Sequence, residues 1–151
     1  MMMSISTKGR YASRIVVFLA SGPQGVPVNK HEIARAETIS PAYVEQLMMA
    51  LRVAGIVASH RGRAGGFSLA RDPESISIAD VLQALEGKLT VAPCGDISAC
   101  DRASNCPTRD IWKKASDLLD ELFEGATIAA LAHDAARKST ESAGQVTESV
   151  L

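Results

Sequence analysis

The sequence predicts a mainly α-helical fold with one small β-hairpin. Apolar residues recur at three- and four-residue spacing in successive segments, the pattern of amphipathic helices. Polar caps, prolines and glycines bracket those segments where helices would start and stop. One stretch joins a short strand-forming run through a glycine-rich turn to a returning segment that alternates apolar and polar residues, the pattern of a hairpin. With 151 residues, 46% of them apolar and 22% charged, the chain suffices for one domain with a hydrophobic core.

The first helix is expected over Thr7–Ala20, where Tyr11, Ile15, Phe18 and Leu19 share a face, and Ser21-Gly22-Pro23 ends it. Asn29 is the expected N-cap of a short helix, Lys30 to Glu37, with Glu32 as capping-box partner. Ser40 and Pro41 then open a third helix running to Ala54 and stopped by Gly55. Its apolar stripe is Val44, Leu47, Met48 and Leu51, and its other face carries Ala42, Glu45, Met49 and Arg52. A short helix, a tight turn and a second capped helix make a helix-turn-helix. Ile56–Ser59 and Phe67–Leu69 are the expected hairpin strands, joined by the basic, glycine-rich turn Arg61–Gly66. Placed directly after a helix-turn-helix, such a hairpin is a wing. Arg61 and Arg63 give it the charge to enter a narrow DNA groove.

Ser77 is expected to cap a helix over Ile78–Leu85, stopped at Gly87. Beyond the loop Lys88–Cys106, Pro107 starts a long amphipathic helix reaching Phe123. Ile111, Ala115, Leu118 and Leu122 form one stripe along it, with Trp112, Leu119 and Phe123 beside them. So wide an apolar surface suits pairing with a second copy. Thr127 caps a last helix, Ile128–Arg137, and from Lys138 the polar, small-residue composition suggests a disordered tail. The expected organisation is a winged helix-turn-helix region over 1–75, a cysteine loop with dimerisation helices over 76–137, and a tail over 138–151.

Charge divides the same way. Through Arg71 there are nine Lys or Arg and three acids, a net +6, whereas the remainder holds seven bases and fourteen acids, a net −7. A basic half joined to an acidic half points to a DNA-facing module and a separate non-DNA module. No run approaches the ~18 apolar residues of a membrane span, and Met1–Arg10 lacks a signal-peptide pattern. A cytoplasmic protein without a membrane partner is expected. Neither GxGxxG nor a P-loop occurs, which argues against a small redox enzyme or electron carrier.

The three cysteines, Cys94, Cys100 and Cys106, lie within thirteen residues. An odd number cannot pair completely within one chain, and such a cluster in a cytosolic protein signals metal or redox chemistry. Three chemistries are open: an iron–sulfur cluster, a metal-free thiol switch, and zinc held by three Cys and one acid. His31, His60 and His133 are scattered and read as surface or capping residues.

Several segments together resemble one family. Ser6-Thr7-Lys8-Gly9-Arg10-Tyr11-Ala12 resembles the opening of the IscR-type regulators, a winged-helix superfamily that also includes NsrR, RirA and CymR. Ile39-Ser40 followed by Tyr43-Val44-Glu45-Gln46-Leu47 resembles their recognition helix, and Arg61-Gly62 through Gly65-Gly66-Phe67 their wing. Cys94, Cys100 and Cys106, with five residues between neighbours, match their cluster loop. The likeness covers about residues 4–137. It implies a homodimeric regulator, not an enzyme, that binds double-stranded DNA at a pseudo-palindromic operator. Its affinity would be set by an iron–sulfur cluster, 2Fe–2S or 4Fe–4S, that senses iron, cluster or redox status. The alternative is a metal-free thiol-sensing repressor.

Carried over residue by residue, the resemblance implies DNA contacts at Ser40, Glu45, Gln46 and Arg61, with Arg63 beside them on the wing, and cluster ligation by Cys94, Cys100 and Cys106. Gln46 can pair bidentately with adenine, and Glu45 can accept from cytosine N4. The chain departs from the pattern at Ala42, often a serine in the family. It departs again at Arg109 and Arg10, which stand where relatives place a fourth cluster ligand.

Overall fold

The computed structural model describes residues 5–92 and 100–148. In chain order its helices are α1 (Thr7–Ser21), α2 (Lys30–Glu37), α3 (Pro41–Val53), α4 (Ile78–Glu86), α5 (Arg109–Gly125) and α6 (Ile128–Glu148). The strands β1 (Val57–His60) and β2 (Gly66–Leu69) follow α3, and short 3-10 turns lie at Pro73–Ser75 and Ala103–Asn105. Among the described residues no helix is long and apolar enough to cross a membrane.

The helix starts follow local chemistry. The Ser6 hydroxyl accepts from the Gly9 N–H, Asn29 from His31 and Ser40 from Tyr43, so each satisfies a donor orphaned by the first helical turn. The capping box expected at Asn29 and Glu32 is found instead at Ser77 and Asp80, where side chain and backbone bond reciprocally. Asn29 spends its oxygen two residues ahead, on His31, which is an Asx turn. Between α2 and α3, Thr38 adopts φ 56° and ψ 47°, and its N–H closes onto the Ala34 carbonyl. A β-branched residue rarely occupies that left-handed region.

The core is built where the helical stripes converge. Ala12, Ile15, Val16 and Leu19 of α1 meet Ile33 and Ala34 of α2 and the Val44, Leu47, Met48 and Leu51 stripe of α3. Ile56, Val57, Ile76, Val81 and Ile128 complete it. Side chains of this size gain ~1.5–3 kcal/mol each on burial, so this cluster dominates the folding energy. On its flank Tyr11 and Tyr43 meet edge to face, and the Arg14 guanidinium lies over Tyr11 while its Nε lies 2.7 Å from the Glu37 carboxylate.

The hairpin is antiparallel, pairing Val57 with Leu69 and His60 with Gly66. β1 lies one residue later than expected, and β2 begins one residue earlier but ends at Leu69 as expected. Val28, in the segment before α2, bonds on to Phe67 through N–H···O contacts of 2.8 and 2.9 Å in both directions. A side chain at Gly66 would run into the Val28 carbonyl, so this close approach requires glycine.

After α5 the chain returns to the winged region. Ile78 N–H donates to Ala126 O and Ile128 N–H to Ile76 O, which seats α6 against α1. The helix α6 runs to Glu148, correcting the expected end at Arg137 and the disordered tail over 138–148. The hydroxyls of Ser139 and Thr140, which composition reads as loop-forming, donate to the Ala135 and Ala136 carbonyls one turn back and travel with the helix. Residues 149–151 lie outside the described residues.

Candidate nucleic-acid interface and cysteine loop

The apolar stripe of α3 faces the core, so the opposite face, with Ala42, Glu45, Gln46 and Met49, faces out. Ser40 is exposed at the N-terminus of that helix, and its oxygen accepts from the Tyr43 N–H at 3.1 Å, leaving its proton to donate. Glu45 is not a free charge. Its carboxylate pairs with Lys30 Nζ of α2 at 2.5 Å. The ammonium offsets part of the repulsion a carboxylate would meet from phosphates, while the other carboxylate oxygen stays open. The sequence did not reveal this partner, because residues fifteen apart fall under no helical spacing rule. The Gln46 side chain is exposed, and no hydrogen bond among the described residues engages it.

Arg52, one turn beyond Met49, donates from Nη1 to the Ser59 hydroxyl at 3.4 Å and so ties α3 to β1. Arg61 and Arg63 are exposed on the turn between β1 and β2. The structure thus places Ser40, Glu45 and Gln46 on one exposed helix face, with both arginines at the end of the adjoining hairpin.

The cysteine loop leaves α4 at Gly87 and is pinned to α5 from its N-terminal side. Val91 N–H donates to the Ser116 hydroxyl at 2.9 Å, and Lys88 Nζ stands 3.9 Å from Asp120. Cys94 lies outside the described residues. Cys100 is exposed and Cys106 half-buried, and both are free thiols. Cys106 does not directly abut the helix: Pro107 and Thr108 intervene before α5 begins at Arg109. Its sulfur lies 3.4 Å from the Thr108 hydroxyl. Hydrogen bonds from that hydroxyl and from the Thr108 N–H hold the Cys106 thiol below its ordinary pKa, against a smaller opposing effect of burial. The Arg109 N–H and the nearby Arg102 charge act in the same direction as the hydrogen bonds. A thiolate is the form that ligates metal and attacks disulfides. The Arg109 guanidinium Nη1 faces the Ala103 carbonyl at 3.5 Å and offers no lone pair for coordination.

Residues 5–134 match the model of the Rrf2 family, described as an iron-dependent transcriptional regulator. The chain belongs to the Rrf2 family. Its Rrf2 relatives include IscR of Vibrio campbellii, 33% identical over 132 residues, covering 87% of this chain and 79% of the relative. Among solved structures, CymR, the global cysteine regulator of B. subtilis, superposes with a TM-score of 0.72 at 34% identity, covering 87% of this chain and 98% of that one. IscR of T. potens gives 0.71 at 33%, covering 87% and 88%. The winged-helix fold is therefore that of the Rrf2 regulators. This chain is a transcriptional regulator of a DNA-binding family, not an enzyme.

Proposed function

We propose that this Rrf2 protein is a cytoplasmic homodimer that sets α3 into the major groove of an operator and its wing into the adjacent minor groove. The observation that carries the reading is the outward face of α3, bearing Ser40, Glu45 and Gln46, continuous through the Arg52–Ser59 link with a hairpin that ends in Arg61 and Arg63. Gln46 and Glu45 read base edges, Ser40 donates at the helix start, and the two arginines enter the groove or hold phosphates. The winged region takes up roughly residues 1–75 and the sensing and assembly region 76–137.

The sensing site is Cys94, Cys100 and Cys106. Their donor chemistry fits an iron–sulfur group: three thiols in one loop, of which Cys106 is already biased toward thiolate. Such a group, 2Fe–2S or 4Fe–4S, supplies a redox- and iron-sensitive link between the loop and the helices it joins. Arg109 contributes no bond to it. A metal-free thiol sensor is the second reading, favoured by the likeness to CymR and by the Cys106–Thr108 contact.

The test is one set of measurements on anaerobically purified protein. Iron and sulfide are counted in the wild type and in Cys94→Ala, Cys100→Ala and Cys106→Ala, and operator DNA is titrated with and without bound iron. Iron in the wild type, its loss in each variant and a change in DNA affinity between the two forms support the first reading. A wild type without iron whose DNA affinity responds to thiol oxidation supports the second. Arg61→Ala costs ~1–3 kcal/mol of specific binding if the wing reads DNA. Unchanged binding at fixed salt removes the wing from the interface.

A further inference from the structure

We infer that Met49 is a specificity residue, reading the C5-methyl group of a thymine in the major groove. The inference rests on the proposed seating of α3 on duplex DNA. Met49 is 64% exposed and Val53 87%, and with Ala42 they run as an apolar line along the outward face of α3. A single exposed apolar residue needs no explanation. This line is different because its charged neighbours each spend one atom within the fold: Glu45 Oε1 on Lys30, and Arg52 Nη1 on Ser59. What α3 presents outward around Met49 is the Gln46 amide, the second carboxylate oxygen of Glu45, the remaining donors of Arg52, and apolar surface.

Among the groups on the major-groove edges of the bases, the apolar one is the thymine methyl, which distinguishes T·A from C·G without a hydrogen bond. The surroundings select DNA as the occupant of this face. Arg61 and Arg63 on the hairpin and Arg35 on α2 are all exposed, and the half of the chain that carries them is net basic. An apolar protein partner would have to leave those cations without counter-charge. Gln46 and Met49 are three residues apart, about 4.5 Å along the helix axis, and stacked bases rise about 3.4 Å per step. The thymine therefore lies one or two base pairs from the base that Gln46 reads. Methionine suits the task because its unbranched thioether adapts to the position of a methyl group.

The experiment uses the full-length protein, purified without oxygen. Binding sites are selected from a random duplex pool, and each selected thymine is then replaced in turn by uracil, which lacks only the methyl. Wild type is expected to lose about fourfold in affinity at one such position, the worth of one buried methyl group. Met49→Ala binds the thymine site about as weakly as wild type binds the uracil site, and no longer distinguishes the two. Met49→Leu keeps most of the discrimination. Thermal melting of Met49→Ala at the wild-type temperature shows that the exposed site does not affect folding. The inference is overturned if no uracil replacement weakens wild type, or if Met49→Ala shows the same penalty at every thymine. If Gln46→Ala and Arg61→Ala still weaken binding in that case, the DNA reading stands and only the role of Met49 falls. If the protein selects no duplex sequence, both fall.

Discussion

Ser6 and Glu86, 80 residues apart, tie the start of α1 to the end of α4. The Ser6 hydroxyl donates to the Glu86 carboxylate at 2.8 Å, and the Ser6 N–H donates to the same group at 3.1 Å. A carboxylate at the C-terminal end of its own helix is disfavoured by that helix's dipole. This one is turned onto the N-terminus of α1, where the dipole favours it. A side chain at Gly9 would collide with Glu86 and Leu82, so glycine leaves the room in which the carboxylate sits.

Glu86→Ala is expected to destabilise the fold by about 1–3 kcal/mol, the range for losing a charged partner of a part-buried donor. Gly9→Ala, which displaces the carboxylate, should cost at least as much. Urea denaturation of both variants checks this. If each unfolds at the wild-type midpoint, the contact contributes nothing to stability.

Thr38→Gly should have the opposite effect. The left-handed conformation costs an L-residue roughly 1–2 kcal/mol, and glycine adopts it freely at some cost in unfolded-state entropy. A net gain of up to about 1 kcal/mol is expected, read as a rise in melting temperature with operator binding retained. A lower melting temperature would show that the Thr38 side chain supplies more than it strains.

Because the Thr108 hydroxyl lowers the pKa of Cys106, the thiolate persists to lower pH than in the unfolded chain. Alkylation of Cys106, followed by peptide mass spectrometry across pH, should reach half its maximal rate at a lower pH in the native protein than in denaturant. Thr108→Val should move that midpoint upward. A native midpoint equal to the denatured one, with or without Thr108, would remove the hydrogen bond as its cause.

Leu118 and Leu122 are 59% and 63% exposed, and α5 has no buried residue. Replacing both by glutamate should give a monomer with weakened operator affinity, since a dimer gains from two half-sites about one helical turn apart. Sedimentation velocity distinguishes the outcomes, and a variant that remains dimeric would place the interface elsewhere.

Most of the fold was legible because its signals are local. The stripe Val44–Leu47–Met48–Leu51 is at most 1% exposed, as its spacing implied, and Ser40, Ser77 and Thr127 cap the helices they were expected to cap. The misses have non-local or competing causes. The left-handed Thr38 is set by the turn it closes, and no propensity of threonine announces it. The extension of α6 to Glu148 runs through Ser139 and Thr140, whose hydroxyls bond to the preceding turn, an option that composition does not reveal. At the candidate interface the exposed residues were readable from the helix face, but the Lys30–Glu45 pair was not, because tertiary packing of α2 on α3 creates it. The Thr108 contact at Cys106 was likewise hidden in a segment with no periodicity to read.

The double hydrogen bond between Val28 and Phe67 makes the hairpin an extension of the segment that leads into α2, rather than a free arm. These bonds, with the Arg52–Ser59 contact, tie the hairpin to the helix-turn-helix on two sides and so restrict how far the arginine tip can move from the α3 face. In the dimer proposed above, an event at the cysteine loop would act less on the grip of one winged module than on the placement of the two modules. On the proposed reading the signal is felt as a preference for spacing, so lengthening or shortening the DNA between half-sites by one base pair should mimic, or cancel, the chemistry at the cysteines.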